Sequence, residues 1–181
     1  MHSLFGKDRK TGENFKTVMA HCVYSDGREI ELMKKNGVIA AHCPASNTNL
    51  RSGIAPIRKL IQNGVSVGLG SDVGAGHTLS PFRVITDAVQ MSKLYQGLVD
   101  ENILALSFAE AFYLSTHGGG FFGNIGKFQD GFEMDALVLD DSDMPPSIPM
   151  TPEQRLERFA YLSLSQTGIR KKYVKGKAIR I

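Results

Sequence analysis

Three short apolar runs, TVMAHC (Thr17 to Cys22), VIAAHC (Val38 to Cys43) and VSVGLGSD (Val65 to Asp72), alternate with amphipathic stretches along the chain. Each is short, β-branched and bounded by turn residues, and so reads as a buried strand. Between the first two, Ser25 and Asp26 precede GREIELMKKNG, whose Ile30, Leu32 and Met33 lie among charges. This segment predicts a helix capped at both ends and stopped at Gly37. After the second run a polar loop, PASNTNLRSG, leads into IAPIRKLIQNG, where Ile57, Leu60 and Ile61 fall at helical spacing and Gly64 ends the run. Strand, helix, strand, helix, strand with short links confines the chain to parallel βαβ units, because parallel neighbours need a crossover element.

The rest continues and then breaks this pattern. SPFRVITDAVQMSKLYQG predicts a longer helix with Ser80 as its cap and Pro81 at its first position. SFAEAFYLST carries Ser107 and Glu110 at capping-box spacing before the break HGGGFFG. From Gly126, GKFQDGFEMDALVLDDS places Asp130 and Gly131 between two β-like stretches, of which DALVLD is the clearer. A proline-rich connector (DSDMPPSIP), a capped helix (TPEQRLERFAYLSLS) and a terminal β pair turning at Lys175 and Gly176 complete the chain. The expectation is a partial α/β layer with a small β-rich appendage.

Composition removes several classes of function. With 42% hydrophobic and 22% charged residues, the 181-residue chain is neither disordered nor collagen-like. Its 21 basic residues against 18 acidic ones give +3, dispersed and too slight for a nucleic-acid surface. No apolar run approaches the roughly 18 to 20 residues that span a bilayer, and the start lacks a signal-peptide core. A cytoplasmic protein without membrane or nucleic-acid partners is expected. Cys22 and Cys43 each follow a His at a strand end and read as reduced, packed thiols; without a C-x-x-C pair a thiolate zinc knuckle has no basis.

In parallel α/β folds, functional groups collect at the carboxyl ends of strands. His21, His42 and Asp72 occupy that station, and an imidazole and a carboxylate on neighbouring strand ends can together handle a water molecule. A strand-end His also commonly serves structure alone. Gly68, Gly70, Gly74 and Gly76 do not match a dinucleotide fingerprint, since the spacing is too long and Asp72 would oppose a pyrophosphate. They more simply let the backbone turn around Asp72. His77 shares that loop, whereas His2 and His117 read as solvent or loop residues.

The strand ends MAH, AHCPASN and GLGSD, in that order, make the segment from Thr17 to Gly76 resemble the C-terminal third of the guanine deaminases in the amidohydrolase superfamily. SFAEAFYLSTHGGGFFGNIGKFQDGFEMDALVLDD resembles the same family's exit from its barrel, so the likeness covers nearly the whole chain. The resemblance implies a partial (β/α)8 barrel, strands six to eight with their helices over residues 1–125, and a tail over 126–181 contributing strands to a composite β-sandwich domain. It implies hydrolytic deamination of guanine to xanthine and ammonia in purine catabolism, with one zinc per complete site, iron being chemically compatible. By the same carry-over His21 helps activate the metal's water. Asp72 is the zinc ligand, meets the substrate, and moves a proton from water to the leaving amine. His42 matches the HCP motif and orders the loop at the barrel mouth. Full-length relatives imply a homodimer.

The family's first-strand H-x-H pair, fifth-strand His and following general acid/base Glu have no counterpart here. A full barrel takes roughly 250 residues, and the chain reads as a fragment, inactive alone, whose partner is the missing amino-terminal half. Two other readings stay open: a related amidohydrolase acting on another aminated heterocycle, and a non-catalytic association module.

Overall fold

A computed structural model describes residues 16–118, 120–144, 146–162 and 168–180. The polar leader with His2, and the end of the TPEQRLERFAYLSLS segment, lie outside the described residues. The three apolar runs form β1 (Val18–Ala20), β2 (Ile39–His42) and β3 (Ser66–Leu69), paired in the order β1-β2-β3. Both pairings are parallel, with Ala20 opposite Ala41 and His42 opposite Leu69. All three strands therefore end on one edge of the sheet.

The crossovers are α1 (Gly27–Lys35) and, between β2 and β3, α2 (Pro44–Asn49) followed by α3 (Ile57–Gln62). The Asp26 side chain accepts from the Glu29 amide at 2.8 Å, and Gly37 takes the left-handed conformation that ends α1 (φ 61°). Helix α2 departs from the expected polar loop. Pro44 sits in its first turn, where the absent N–H costs nothing, and Pro44, Ala45, Ser46 and Asn47 are all buried. Small residues that suit a loop are here buried in a helix.

Ile30, Met33, Val38, Ala40, Ile57, Leu60, Val65 and Val67 form one core between the sheet and helices α1 and α3. Helix α4 (Pro81–Leu98) and helix α5 (Phe108–Ser115) follow. Ser80 stands at the N-cap of α4 but its side chain makes no cap bond; Thr78 Oγ1 instead accepts from the Ser80 amide at 3.0 Å. At α5 the capping box is complete, with Ser107 and Glu110 each satisfying the other's backbone N–H.

The tail forms a separate antiparallel sheet of β4 (Ala136–Leu139), β5 (Ile169–Val174) and β6 (Lys177–Ile179) in sequence order, with α6 (Pro152–Leu162) between β4 and β5. Lys175 and Gly176 both have positive φ (50° and 74°), as a tight two-residue hairpin turn requires. Of the two β-like stretches expected around Asp130 and Gly131 only the second is a strand. Residues 124–133 close on themselves, the Glu133 amide donating to Asn124 O at 2.7 Å. Phe82, Ile85, Phe108 and Ala111 of α4 and α5 meet Phe159 and Ala160 of α6 in a second core, so helices join the two sheets. Among the described residues, no helix is long and apolar enough to cross a membrane.

Candidate active site at the strand ends

His21 follows β1 directly and its backbone amide still donates to Ala41 O at 2.9 Å. Its φ of 70° and the 49° of Cys22 lie in the left-handed region, which bends the chain off the sheet. Asp72, beyond β3, has φ 47°. Three of the five non-glycine residues with positive φ among the described residues thus flank one edge of the sheet. Such conformations persist where surrounding contacts enforce them, and they concentrate at functional sites.

The Asp72 loop shows what does the enforcing. The Gly76 amide donates to Asp72 O at 2.6 Å, and a Cβ on Gly76 would lie 1.9 Å from Ser71 O. Only glycine permits this turn, which aims the Asp72 carboxylate back across the sheet toward β1. His21 Nε2 and Asp72 Oδ2 face each other at 3.9 Å, and both side chains stay open to solvent, 42% and 39% exposed. The gap exceeds a hydrogen bond. Two donor atoms are thereby presented side by side at an accessible sheet edge.

A third participant, unmarked in sequence, joins the pair. Asn47, buried in the first turns of α2, holds its Oδ1 2.9 Å from His21 Nδ1. The signal available is the S-N pair (Ser46 and Asn47) that begins two residues beyond the HCP motif, which reads as loop chemistry until the helix is seen.

The other candidates do not join this pair. His42 points into the core, only 2% exposed, with Nδ1 lacking a hydrogen-bond partner. Burial, reinforced by the neighbouring His21, pushes its pKa down to about 3, so it is a neutral packing residue at the base of the site. Cys43 is buried and Cys22 partly so, and burial is the leading cause that raises both thiols, as befits unreactive sulfur. His77 turns from Asp72 toward helix α4, with Nε2 3.9 Å from Asp87 Oδ2 and Nδ1 3.4 Å from Asn49 Nδ2. His117 is half-buried beyond α5 and packs its ring between Tyr113 and Phe132, a structural placement and not a solvent one.

A carboxylate oxygen and an imidazole nitrogen suit zinc, but a catalytic zinc takes three protein ligands. Among the described residues no group of three or more His, Cys, Asp or Glu side chains could hold a metal ion. The donor set fits part of such a site.

The pattern that defines the amidohydrolase family matches residues 3–179. The chain belongs to the amidohydrolase family. Within that family it is 34% identical over 175 residues to a guanine deaminase of Dictyostelium discoideum, covering 92% of this chain and 38% of that protein. It is also 34% identical over 160 residues to a 5'-deoxyadenosine deaminase of Methanococcus maripaludis, covering 87% of this chain and 36% of that one. Among solved structures, guanine deaminase from C. acetobutylicum with guanine bound in its active site superposes with a TM-score of 0.87 at 46% identity, over 92% of this chain and 40% of that one. This amidohydrolase chain therefore spans less than half the length of the relatives it matches.

Proposed function

We propose that this chain supplies the C-terminal part of a zinc-dependent guanine deaminase, which hydrolyses guanine to xanthine and ammonia in purine catabolism. In this reading residues 1–125 bring strands six, seven and eight of a (β/α)8 barrel, and β4, β5 and β6 in residues 126–181 belong to a composite β-sandwich. The observation that carries it is the facing of His21 Nε2 and Asp72 Oδ2 across one sheet edge. The 46% identity to a structure holding guanine favours that base over adenine-type substrates.

Asp72 would hold the zinc, together with ligands from the length of the relatives that this chain does not span. When bound, the metal supplies Lewis acidity at neutral pH. The chain's own residues do the rest. The Asp72 carboxylate, fixed by the Gly76 turn, takes a proton from the attacking water and returns one to the departing amine, whose loss as ammonia needs that proton. His21 Nε2 accepts a hydrogen bond from the same water and orients it. His42 and the apolar strand residues beneath keep bulk water out of the base of the site.

Alone, the chain offers too few ligands and is inactive. Its partners are the missing amino-terminal half of the barrel and a small purine; joined to that half it forms a homodimer. The test is co-expression with the preceding part of the C. acetobutylicum enzyme, followed by ammonia release from guanine, adenine, cytosine and S-adenosylhomocysteine. The proposal expects turnover of guanine, abolished by Asp72→Asn. Turnover of another base first would transfer the chain to a neighbouring deaminase specificity. A stable complex without any turnover would make it an association module.

A further inference from the structure

His21 can act on a water only if the nitrogen facing Asp72 offers the right valence. A neutral imidazole has one N–H and one lone pair, and the partner of the remote nitrogen decides which is which. Here the remote nitrogen, Nδ1, lies 2.9 Å from Asn47 Oδ1, an atom that can only accept. We propose that Asn47 is a positioning residue, locking His21 as the Nδ1–H tautomer and turning the bare Nε2 toward Asp72.

Three observations support this. Asn47 is 2% exposed and its backbone is anchored, its amide donating to Cys43 O at 3.1 Å and its carbonyl accepting from Ser52 N at 2.8 Å; this holds the carboxamide beside the His21 ring, where Oδ1 meets Nδ1 while the buried Nδ2 has no partner among the described residues. The parallel register that sets Ala20 opposite Ala41 brings the β1 exit beside the β2 exit, from which α2 immediately starts. Finally, His21 Nε2 and Asp72 Oδ2 stand 3.9 Å apart, beyond hydrogen-bond distance, so the carboxylate does not engage an N–H at Nε2 and leaves the choice of tautomer to Asn47. The catalytic value of the tautomer rests on the reading of His21 given above; the tautomer itself does not.

The experiment is magic-angle-spinning spectroscopy of the whole chain with 15N-labelled histidine, at about pH 8, where an ordinary imidazole is neutral. This readout tolerates self-association, and a His21→Gln sample identifies the His21 signals. Wild type is expected to show a protonated Nδ1 and a bare Nε2. Asn47→Asp, whose carboxylate can only accept, retains that pattern; Asn47→Ala moves the proton to Nε2 in most molecules. A wild-type Nε2–H would overturn the proposal, because the carboxamide would then be turned with its NH2 toward the ring. So would an Asn47→Ala chain, folded by exchange protection of the Gly70 amide, that keeps Nδ1–H. The wild-type and Asn47→Asp spectra decide the matter even if Asn47→Ala fails to fold. None of these outcomes depends on deamination, so an inactive assembled enzyme with the expected tautomer would count against the proposed function and leave the role of Asn47 intact.

Discussion

Burying His42 should make the fold sensitive to acid. Its ring is 2% exposed and its pKa falls from the ordinary 6.5 to about 3. The sign follows from linkage: between those values the unfolded chain binds a proton that the folded chain refuses, so stability drops as pH falls through the window. The slope is about 1.4 kcal/mol per pH unit, or about 5 kcal/mol across the full window, comparable to the whole stability of an ordinary domain. Replacing His42 with Gln removes the titrating group while retaining a polar side chain. Urea unfolding of both proteins at pH 8, 6, 5 and 4 isolates the effect, since other groups cancel in the difference. Relative to wild type, the variant should gain about 3 kcal/mol between pH 8 and pH 4. A difference that stays flat, within about 0.5 kcal/mol over that range, would mean that His42 takes up its proton inside the fold, and the account of a neutral, dry base to the site would fail.

Three further perturbations probe the scaffold. Arg58 grips Glu110 with both terminal guanidinium nitrogens, at 2.6 and 2.8 Å, and these bonds hold the carboxyl down at about 2, so the stabilisation is present above pH 4.5 and is lost as pH falls through about 2. Because Glu110 is 43% exposed, Glu110→Gln should cost only about 1 kcal/mol at pH 7 by urea midpoint, and less below pH 4.5; an equal cost at both would contradict the ion-pair origin. Leu60, fully buried between α3 and the sheet, should cost about 2 to 5 kcal/mol on change to Ala in the same assay, and a loss under about 1 kcal/mol would indicate a loose core. Gly76→Ala cannot keep the present turn, so backbone amide shifts from Ser71 to His77 should move while those of α1 hold still; an unchanged spectrum would show that the loop admits a Cβ.

What could be read from the residues was whatever local chemistry fixes alone. The three parallel strands, the Asp26 and Ser107 caps and the Lys175–Gly176 hairpin all follow from neighbours in sequence, and the structure has them where expected, except that β1, at the margin of the sheet, is exposed at Val18 and Ala20 and not buried. The placement of His21 and Asp72 at strand ends was legible too, because β-strand boundaries carry turn residues. Helix α2 has no clear signature in sequence because PASNTN, Ala45 apart, consists of poor helix formers; burial, a tertiary effect, makes it helical. The same override hid Asn47, whose role depends on a contact 26 residues away. It also separated three histidines of similar appearance: His21 meets solvent, His42 the core, and His77 the Asp87 carboxylate. Sequence marks all three as candidates, but side-chain direction is set by backbone conformation, and the positive φ at His21 has no signature in residue type.

The most direct test of half a site is the zinc content of the purified 181-residue chain after dialysis, with ammonia release from guanine followed on the same sample. With Asp72 and His21 as the facing donors at the sheet edge, and no group of three metal-binding side chains among the described residues, the chain should retain far less than one zinc per molecule and release no ammonia. One tightly held zinc per chain, with turnover, would show that the chain completes the coordination by itself and would contradict the account.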